Sequence, residues 1–262
     1  MLESFVREIV VGEDLRAFSD LSVAVLVGGL GTRLRSVVSD RPKALAEIQG
    51  RPFLAYLLDQ LSATGLSSVV LCTGHFGQQI EEAFGERYGN LRILYSQEAQ
   101  PLGTGGALRL ALPYLISDPV LVMNGDSFCA VDLRSFWNWH CARRSKATML
   151  LTQVPDTQRF GSVEIDPDGA IIRFGEKVKG SIPGSINAGV YLLSHQVIES
   201  IPPDTDVSLE YRLFPTMVTH GLYGYPGRGR FLDIGTPEDF AAAKDFFLAV
   251  NERERTAVCS TR

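Results

Sequence analysis

The chain has 262 residues, of which 45% are hydrophobic and 21% are charged, with a formal net charge of −5. This length fits one large α/β domain, or one domain with a substantial insertion. The acidic balance argues against a nucleic-acid surface, and no apolar run approaches the ~20 residues needed to cross a membrane. The first residues lack the order of a secretion signal, and Cys72 and Cys129 are expected to be small buried hydrophobes. We therefore expect a cytoplasmic protein.

The first predicted element follows an N-terminal extension, residues 1–20, to which we assign no function. The apolar run at 23–27 indicates a buried parallel strand. It leads into the loop Gly-Gly-Leu-Gly-Thr-Arg at 28–33, and Lys43 follows beside a proline. Three glycines let backbone N–H groups turn toward a ligand, and Arg33 and Lys43 add positive charge. Such a loop at the carboxyl end of a parallel strand suits a polyphosphate.

The glycine-rich loop is compatible with functions other than phosphate binding. On the glycines alone, a simple tight turn is equally consistent with the sequence. The loop has no Gly-Lys-Ser/Thr, which excludes a P-loop. It also lacks the third glycine of the dinucleotide fingerprint, which argues against a nicotinamide cofactor.

Strands and helices then alternate along the chain. Apolar residues at helical spacing predict a helix from 53 to about 65, and a polar helix is predicted at 78–84. Apolar runs at 68–73 and 91–95 predict two more strands. This alternation is typical of right-handed βαβ units, so we expect an α/β fold with a Rossmann-like, mainly parallel sheet flanked by helices.

Two later stretches place further polar groups at strand ends. Pro-Leu-Gly-Thr-Gly-Gly-Ala at 101–107 follows a strand and, read plainly, is a loop that opens a helix. The apolar run at 120–124 continues into Gly-Asp126, which puts this carboxylate at the sheet edge near the phosphate loop. Magnesium takes few protein carboxylates, so Asp126 is a candidate ligand, and an ordinary Asx turn is the alternative. Trp137 and His140 are interpreted as core or rim, and no nucleophile is proposed.

The composition changes from residue 147 onward. Runs at 160–165 and 171–174 flank Asp-Pro-Asp-Gly, a turn sequence, and predict a small antiparallel hairpin on the main sheet. A long apolar run at 185–193 predicts a further strand. This second half of the chain is therefore expected to depart from the simple βαβ pattern.

Two helix starts are predicted near the end of the chain. Residues 208–218 indicate a helix with Ser208 as its cap, in which Glu210 faces either the pocket or the helix dipole. Thr236 is expected to cap the last helix, with a proline at its first position and acidic residues in its first turn. That capping does not explain Asp233, which ends the short strand before it.

Six motifs in this order resemble the sugar-1-phosphate nucleotidyltransferase family. They are Gly-Gly-x-Gly-Thr-Arg-Leu with Pro-Lys, Pro-Leu-Gly-Thr-Gly-Gly-Ala, Asn-Gly-Asp, Glu-Lys, Asn-Ala-Gly and Asp-x-Gly-Thr-Pro, spread between residues 23 and 247. One departure is Ala44, where relatives usually carry a proline after the lysine. The resemblance implies that the hairpin forms part of the sugar pocket.

The resemblance also implies roles for individual residues. Nucleotide binding is implied for Gly28, Gly29, Gly31, Thr32, Arg33, Glu98, Gly103 and Thr104. Sugar-phosphate binding is implied for Gly161, Glu176, Lys177 and Asn187, and Mg²⁺ binding for Asp126 and Asp233. The cations expected to act on the reacting phosphates are Arg33, Lys43 and Lys177.

The resemblance also implies that the side chain at position 98 faces the nucleotide base. A carboxylate accepts hydrogen bonds with both oxygens, and guanine presents N1–H and its 2-amino group side by side. Uracil and thymine present one N–H between two carbonyls, which a carboxylate repels. Glu98 therefore favours GTP, although Gln97 or Gln100 could occupy the position instead, and their amides suit pyrimidines better.

The expected reaction transfers a nucleotidyl group from GTP to a sugar 1-phosphate. In its compactness and in the loop at 101–107, the chain most resembles the family members that use D-glycero-α-D-manno-heptose 1-phosphate. The alternatives are transfer to mannose 1-phosphate, thymidylyl or uridylyl transfer to glucose 1-phosphate, or a catalytically inactive regulator that binds nucleotide sugars. No nucleic-acid or membrane partner is expected. The sequence is compatible with a homo-oligomer.

The expected organisation is one nucleotidyltransferase domain at 21–250. Its nucleotide half covers about 21–146 and its sugar-phosphate half about 147–250, and the tail at 251–262 is expected to fray.

Overall fold

The computed structural model describes residues 18–29, 31, 34, 37–38, 41–174 and 182–259. The described strands are β1 (Val23–Leu26), β2 (Glu47–Ile48), β3 (Arg51–Pro52), β4 (Ser68–Thr73), β5 (Arg87–Tyr88), β6 (Leu91–Gln97), β7 (Val120–Asn124), β8 (Ser127–Cys129), β9 (Ala147–Val154), β10 (Val163–Ile165), β11 (Ile171–Phe174), β12 (Gly184–Leu193), β13 (Leu222–Pro226) and β14 (Phe231–Asp233).

The described α-helices are α1 (Phe53–Ala63), α2 (Gly77–Phe84), α3 (Gly103–Ala111), α4 (Leu133–Arg143), α5 (His195–Glu199), α6 (Phe214–Met217) and α7 (Pro237–Cys259). A π-helical segment at Leu209–Leu213 precedes α6. No helix in these ranges is long and apolar enough to cross a membrane.

Eight strands form one mixed sheet in the order β13-β9-β12-β7-β1-β4-β6-β5. β1 pairs in parallel with β4 and with β7, and β4 pairs in parallel with β6. In the second half, β12 runs antiparallel to both β7 and β9. The predicted α/β fold with a mainly parallel sheet is confirmed, and so is the hairpin, because β10 and β11 form a separate antiparallel pair.

The sheet reverses its strand order beside β1. The chain runs outward from β1 through β4 to β6, and then returns to place β7 on the other side of β1. Ligands in open α/β sheets bind at such a switch point, in the crevice beyond the carboxyl ends of the strands. Leu26 and Asn124, the last residues of β1 and β7, are paired in register, so the loops that follow them leave the sheet side by side.

Both faces of the sheet are buried, which explains the unbroken apolar run of β1. Val23 and Val25 point into one core cluster, whereas Ala24 points into the other. The first cluster includes Phe18, which is fully buried and lies edge-on to Trp137, with a ring-centroid distance of 5.8 Å. The end of the N-terminal extension therefore contributes to the core.

His140 on α4 is buried, as the interpretation of core or rim anticipated. Its Nδ1 atom lies 2.7 Å from Thr148 Oγ1 and 3.0 Å from Ser145 Oγ. Burial lowers the pKa of His140 to about 4, against an opposing effect of Asp118. The folded protein thus holds a neutral imidazole at pH values where the unfolded chain binds a proton.

We expect this histidine to make folding pH-dependent below pH 6.5. Because the folded-state pKa lies below the ordinary value, stability is complete above pH 6.5 and is lost as pH falls toward 4. Between pH 7 and pH 5 the loss from His140 alone is ~2 kcal/mol. The loss of stability is measured by urea unfolding of the unaltered protein and of His140→Gln at pH 7 and at pH 5. The control is His220→Gln, which replaces an exposed histidine. An equal pH dependence in all three proteins would contradict this assignment.

Candidate active site

A cavity of about 650 Å³ opens at the switch point. The predicted site residues that line it are Gly28, Gly29, Gly31, Lys43, Glu98, Gly103, Thr104 and Asp126. Four others, Thr32, Arg33, Glu176 and Lys177, lie outside the described residues. Gly161, Asn187 and Asp233 are described but do not line the cavity. The cavity is also lined by His75, Asn124 and Gly235, which were not predicted from the sequence. Glu210, for which the sequence left two orientations open, lines it too.

Lys43 and Asp126 form an ion pair at the cavity wall. Lys43 Nζ lies 2.9 Å from Asp126 Oδ2, and the lysine side chain is only 10% exposed against 43% for the aspartate. A short 3₁₀ turn, Lys43–Leu45, carries the lysine, and the burial of Ala44 and Leu45 anchors it. The turn is closed by a 2.9 Å bond from Leu45 N to Pro42 O, so alanine at position 44 is compatible with an ordered lysine.

The fold brings Asp233 next to Asp126, although the two are far apart in the chain. β14 pairs antiparallel with β8, which places Asp233 opposite Ser127. Ile234 N then donates to Asp126 O at 3.0 Å. Burial raises the pKa of Asp233, and the charge of Asp126 raises it further, while Lys43 opposes both effects.

Two carboxylates held close together fit a divalent cation. Their mutual repulsion would be relieved by positive charge beyond that of Lys43, and oxygen ligands suit Mg²⁺. Within the described ranges, no group of three or more His, Cys, Asp or Glu residues could hold a metal. Asp126 and Asp233 would therefore need waters or substrate phosphates to complete the coordination, which is how Mg²⁺ is usually held.

Glu98 lies at the inner wall of the cavity, directly after β6. Its Oε2 accepts a 3.0 Å hydrogen bond from Leu102 N, and burial raises its pKa, with a smaller contribution from Asp206. Of the two alternatives, Gln100 also lines the cavity, whereas Gln97 does not. The structure thus leaves Glu98 and Gln100 as residues that can face a base.

Gly74 does not line the cavity but packs directly against Gly28 and Glu98, which do, and it was not predicted from the sequence. A Cβ atom there would lie 2.7 Å from Gly28 O and 2.9 Å from Glu98 Oε1, so only glycine fits. The available signal was its position: Gly74 follows β4 directly, just as Gly28 follows shortly after the neighbouring β1. This close packing sets the depth at which Glu98 lies.

The second glycine loop is shaped by a segment a hundred residues later in the chain. Gly105 N donates to Val207 O at 2.7 Å, and Val207 N donates to Leu102 O at 2.9 Å. A Cβ at Gly105 would lie 2.9 Å from Val207 O. This glycine therefore permits a close backbone approach. The Thr104 hydroxyl likewise bonds within the protein, donating to Glu210 Oε2 and accepting from Leu209 N.

The predicted sugar-binding residues lie in the second half of the chain. Asn187 Nδ2 donates to Tyr191 OH, and its Oδ1 accepts from Gly189 N, each at 2.8 Å.

Gly161 lies two residues after Arg159. The guanidinium of Arg159 pairs with Asp239 in the first turn of α7 through a 2.8 Å bond to Oδ1. Arg159 was not predicted from the sequence. Its ion pair connects the segment before the hairpin to the helix that follows Asp233.

The chain is similar to proteins of known family. The family described as "Nucleotidyl transferase" matches residues 22–250. The chain is 38% identical over 225 residues to the D-glycero-alpha-D-manno-heptose 1-phosphate guanylyltransferase of Aneurinibacillus thermoaerophilus, covering 86% of this chain and 97% of that protein. It is 36% identical over 228 residues to the mannose-1-phosphate guanylyltransferase of Mycobacterium tuberculosis, covering 86% of this chain but only 64% of that protein.

The solved structures agree with the fold. The crystal structure of HddC from Yersinia pseudotuberculosis complexed with GMP-PN is similar with a TM-score of 0.77 and 34% sequence identity. The match covers 87% of this chain and 99% of that one.

Proposed function

Since the chain belongs to the nucleotidyl transferase family, we propose that it transfers a guanylyl group from GTP to D-glycero-α-D-manno-heptose 1-phosphate. The observation that carries the proposal is the Lys43–Asp126 pair, with Asp233 beside it, under the glycine loop at the switch point. A polyphosphate bound here would meet one lysine, whose side chain is only 10% exposed, and two carboxylates.

Two observations support the choice of substrates. Glu98, a carboxylate that can accept from guanine N1–H and its 2-amino group, lines the cavity. The heptose relative is matched over 97% of its length, against 64% for the mannose relative. Mannose 1-phosphate is the principal alternative acceptor.

The reaction needs positioning and charge neutralisation rather than a covalent enzyme intermediate. An oxygen of the sugar 1-phosphate forms a bond to the α-phosphorus of GTP, the bond from that phosphorus to the β-phosphate oxygen breaks in line, and pyrophosphate leaves. The nucleophile is already an anion, so no general base is required. The difficulty lies in bringing two anions together.

In this mechanism the residues around the cavity would bind the phosphates and Mg²⁺. Lys43 would lie along the phosphate chain, and the backbone of the glycine loop would hold the triphosphate. Asp126 and Asp233 would hold Mg²⁺, which supplies charge neutralisation to the phosphates when it is bound. Arg33 on the departing phosphates and Lys177 on the sugar phosphate remain predictions from the sequence.

Pyrophosphate release by the purified protein with Mg²⁺ tests the proposal. GTP, ATP, CTP, UTP and dTTP are each combined with heptose, mannose and glucose 1-phosphates. We expect turnover with GTP and the heptose 1-phosphate. Turnover confined to mannose 1-phosphate would overturn the acceptor, and turnover confined to UTP or dTTP would overturn the base. Tight GDP-sugar binding without any turnover would favour the inactive regulator.

A further inference from the structure

Glu210 lines the cavity from the first turn of the π-helical segment, and protein donors occupy both of its oxygens. Oε2 accepts from Thr104 Oγ1 at 2.8 Å and from Ser208 Oγ at 3.0 Å. Thr104 Oγ1 in turn accepts from Leu209 N at 2.8 Å. The start of α3, which carries the predicted base loop, is thus tied to this segment by two adjacent bonds.

The other oxygen of Glu210 faces the middle of the sheet. Oε1 accepts from Asn124 Nδ2 at 3.4 Å and from Tyr191 OH at 3.3 Å. Asn124 ends β7, two residues before Asp126. Glu210 therefore contacts the strand that leads to the predicted metal carboxylate, besides the base loop.

Tyr191 extends the connection to the predicted sugar-binding strand. Its ring is fully buried against Phe214, and its hydroxyl accepts from Asn187 Nδ2 at 2.8 Å. Burial and the nearby Glu210 raise the pKa of Tyr191 well above its ordinary value, so the hydroxyl keeps the proton it donates. The pairing of β12 with β9 is irregular between Asn187 and Tyr191, so this side-chain contact helps to fix where Asn187 points.

We propose that Glu210 is a positioning residue that fixes the sugar-binding strand relative to the nucleotide loop, and this inference rests on the proposed function. Four donors use the acceptor sites of the carboxylate: one each from α3, β7, β12 and the cap of the π-helical segment. This leaves the carboxylate little capacity to bind substrate directly. In-line transfer requires reacting atoms within about 3–3.5 Å, so a small shift between the two halves lowers turnover steeply. The wide π-helical turn that presents Glu210 is a feature often found at functional sites.

Substitution of Glu210 is expected to lower turnover without weakening GTP binding. Glu210→Gln keeps one acceptor oxygen and should lower kcat about tenfold, whereas Glu210→Ala removes both and should lower it about 100-fold. Tyr191→Phe keeps the ring packing, breaks the link to Asn187 and should resemble Glu210→Gln. The Kd for GTP, measured by calorimetry without sugar phosphate, should change less than threefold in all three variants.

The decisive quantity is kcat per GTP-binding molecule, determined with the acceptor that the unaltered protein uses. A purely structural role would reduce the number of folded molecules but leave this value unchanged. Exposed Glu199→Gln on α5 is the matched control and should behave as the unaltered protein. Values within twofold of the unaltered protein for both Glu210 variants would overturn the inference alone. Absence of pyrophosphate release by the unaltered protein would overturn the proposed function, and the inference with it.

Discussion

Replacing Asp126 by asparagine is expected to lower kcat by about 10³-fold while changing the Kd for GTP less than about threefold. Asparagine keeps the size of the side chain and an oxygen that can still accept from Lys43 Nζ, which lies 2.9 Å from Asp126 Oδ2. What is lost is a negative charge beside the reacting phosphates and one of two oxygen ligands for Mg²⁺. The effect should therefore appear when charge develops in the transition state, and less when GTP binds.

Initial rates of pyrophosphate release over a range of GTP and Mg²⁺ concentrations, together with calorimetric GTP binding, provide the measurement. Asp168→Asn, in the exposed turn between β10 and β11, is the matched control because it removes the same charge away from the cavity. Removing Asp126 should also lower the pKa of Asp233, since the charge of Asp126 helps to raise it. Near-normal turnover of Asp126→Asn would remove this residue from the mechanism.

The sequence predicted best the elements that depend on local periodicity. A strand at 68–73 and a helix starting at 53 are found where the apolar spacing placed them. The helix at 208–218 was only partly right. Ser208 does cap it, with Oγ accepting from Tyr211 N at 3.1 Å, but the first turn is π-helical. Pro215 has no N–H to offer the carbonyl four residues earlier, which disfavours a regular α-helix there.

The site was predictable where it lies at strand ends and not where it depends on distant pairing. The ends of β1 and β7 meet because parallel neighbours share an edge, so the glycine loop and Asp126 could be placed together from the sequence. Asp233 reaches Asp126 only through the pairing of β14 with β8, and the family resemblance, not the local sequence, pointed to it. The orientation of Glu210 depends on partners 106, 86 and 19 residues away in the chain, which no local pattern encodes.

The substitution Glu98→Gln is expected to lower kcat/KM for GTP about 100-fold and to raise it for UTP or dTTP. In the unaltered protein Oε2 accepts from Leu102 N at 3.0 Å. A glutamine would keep its amide oxygen on that N–H, because an unpaired buried donor is costly. Its amino group would then face the base, where it opposes the two donors of guanine but complements a carbonyl of uracil or thymine.

The control for this prediction is Gln100→Ala, because Gln100 is the other candidate that lines the cavity. If Glu98 reads the base, Gln100→Ala should leave the preference for GTP over UTP nearly unchanged. A large change in that preference for Gln100→Ala, with little for Glu98→Gln, would assign base recognition to Gln100. A fall in kcat/KM for every nucleotide in Glu98→Gln would mean that the residue only supports the Gly28 and Gly74 backbone against which it packs. The ratio of the two kcat/KM values therefore separates recognition of the base from support of the loop, because loss of support affects all nucleotides alike.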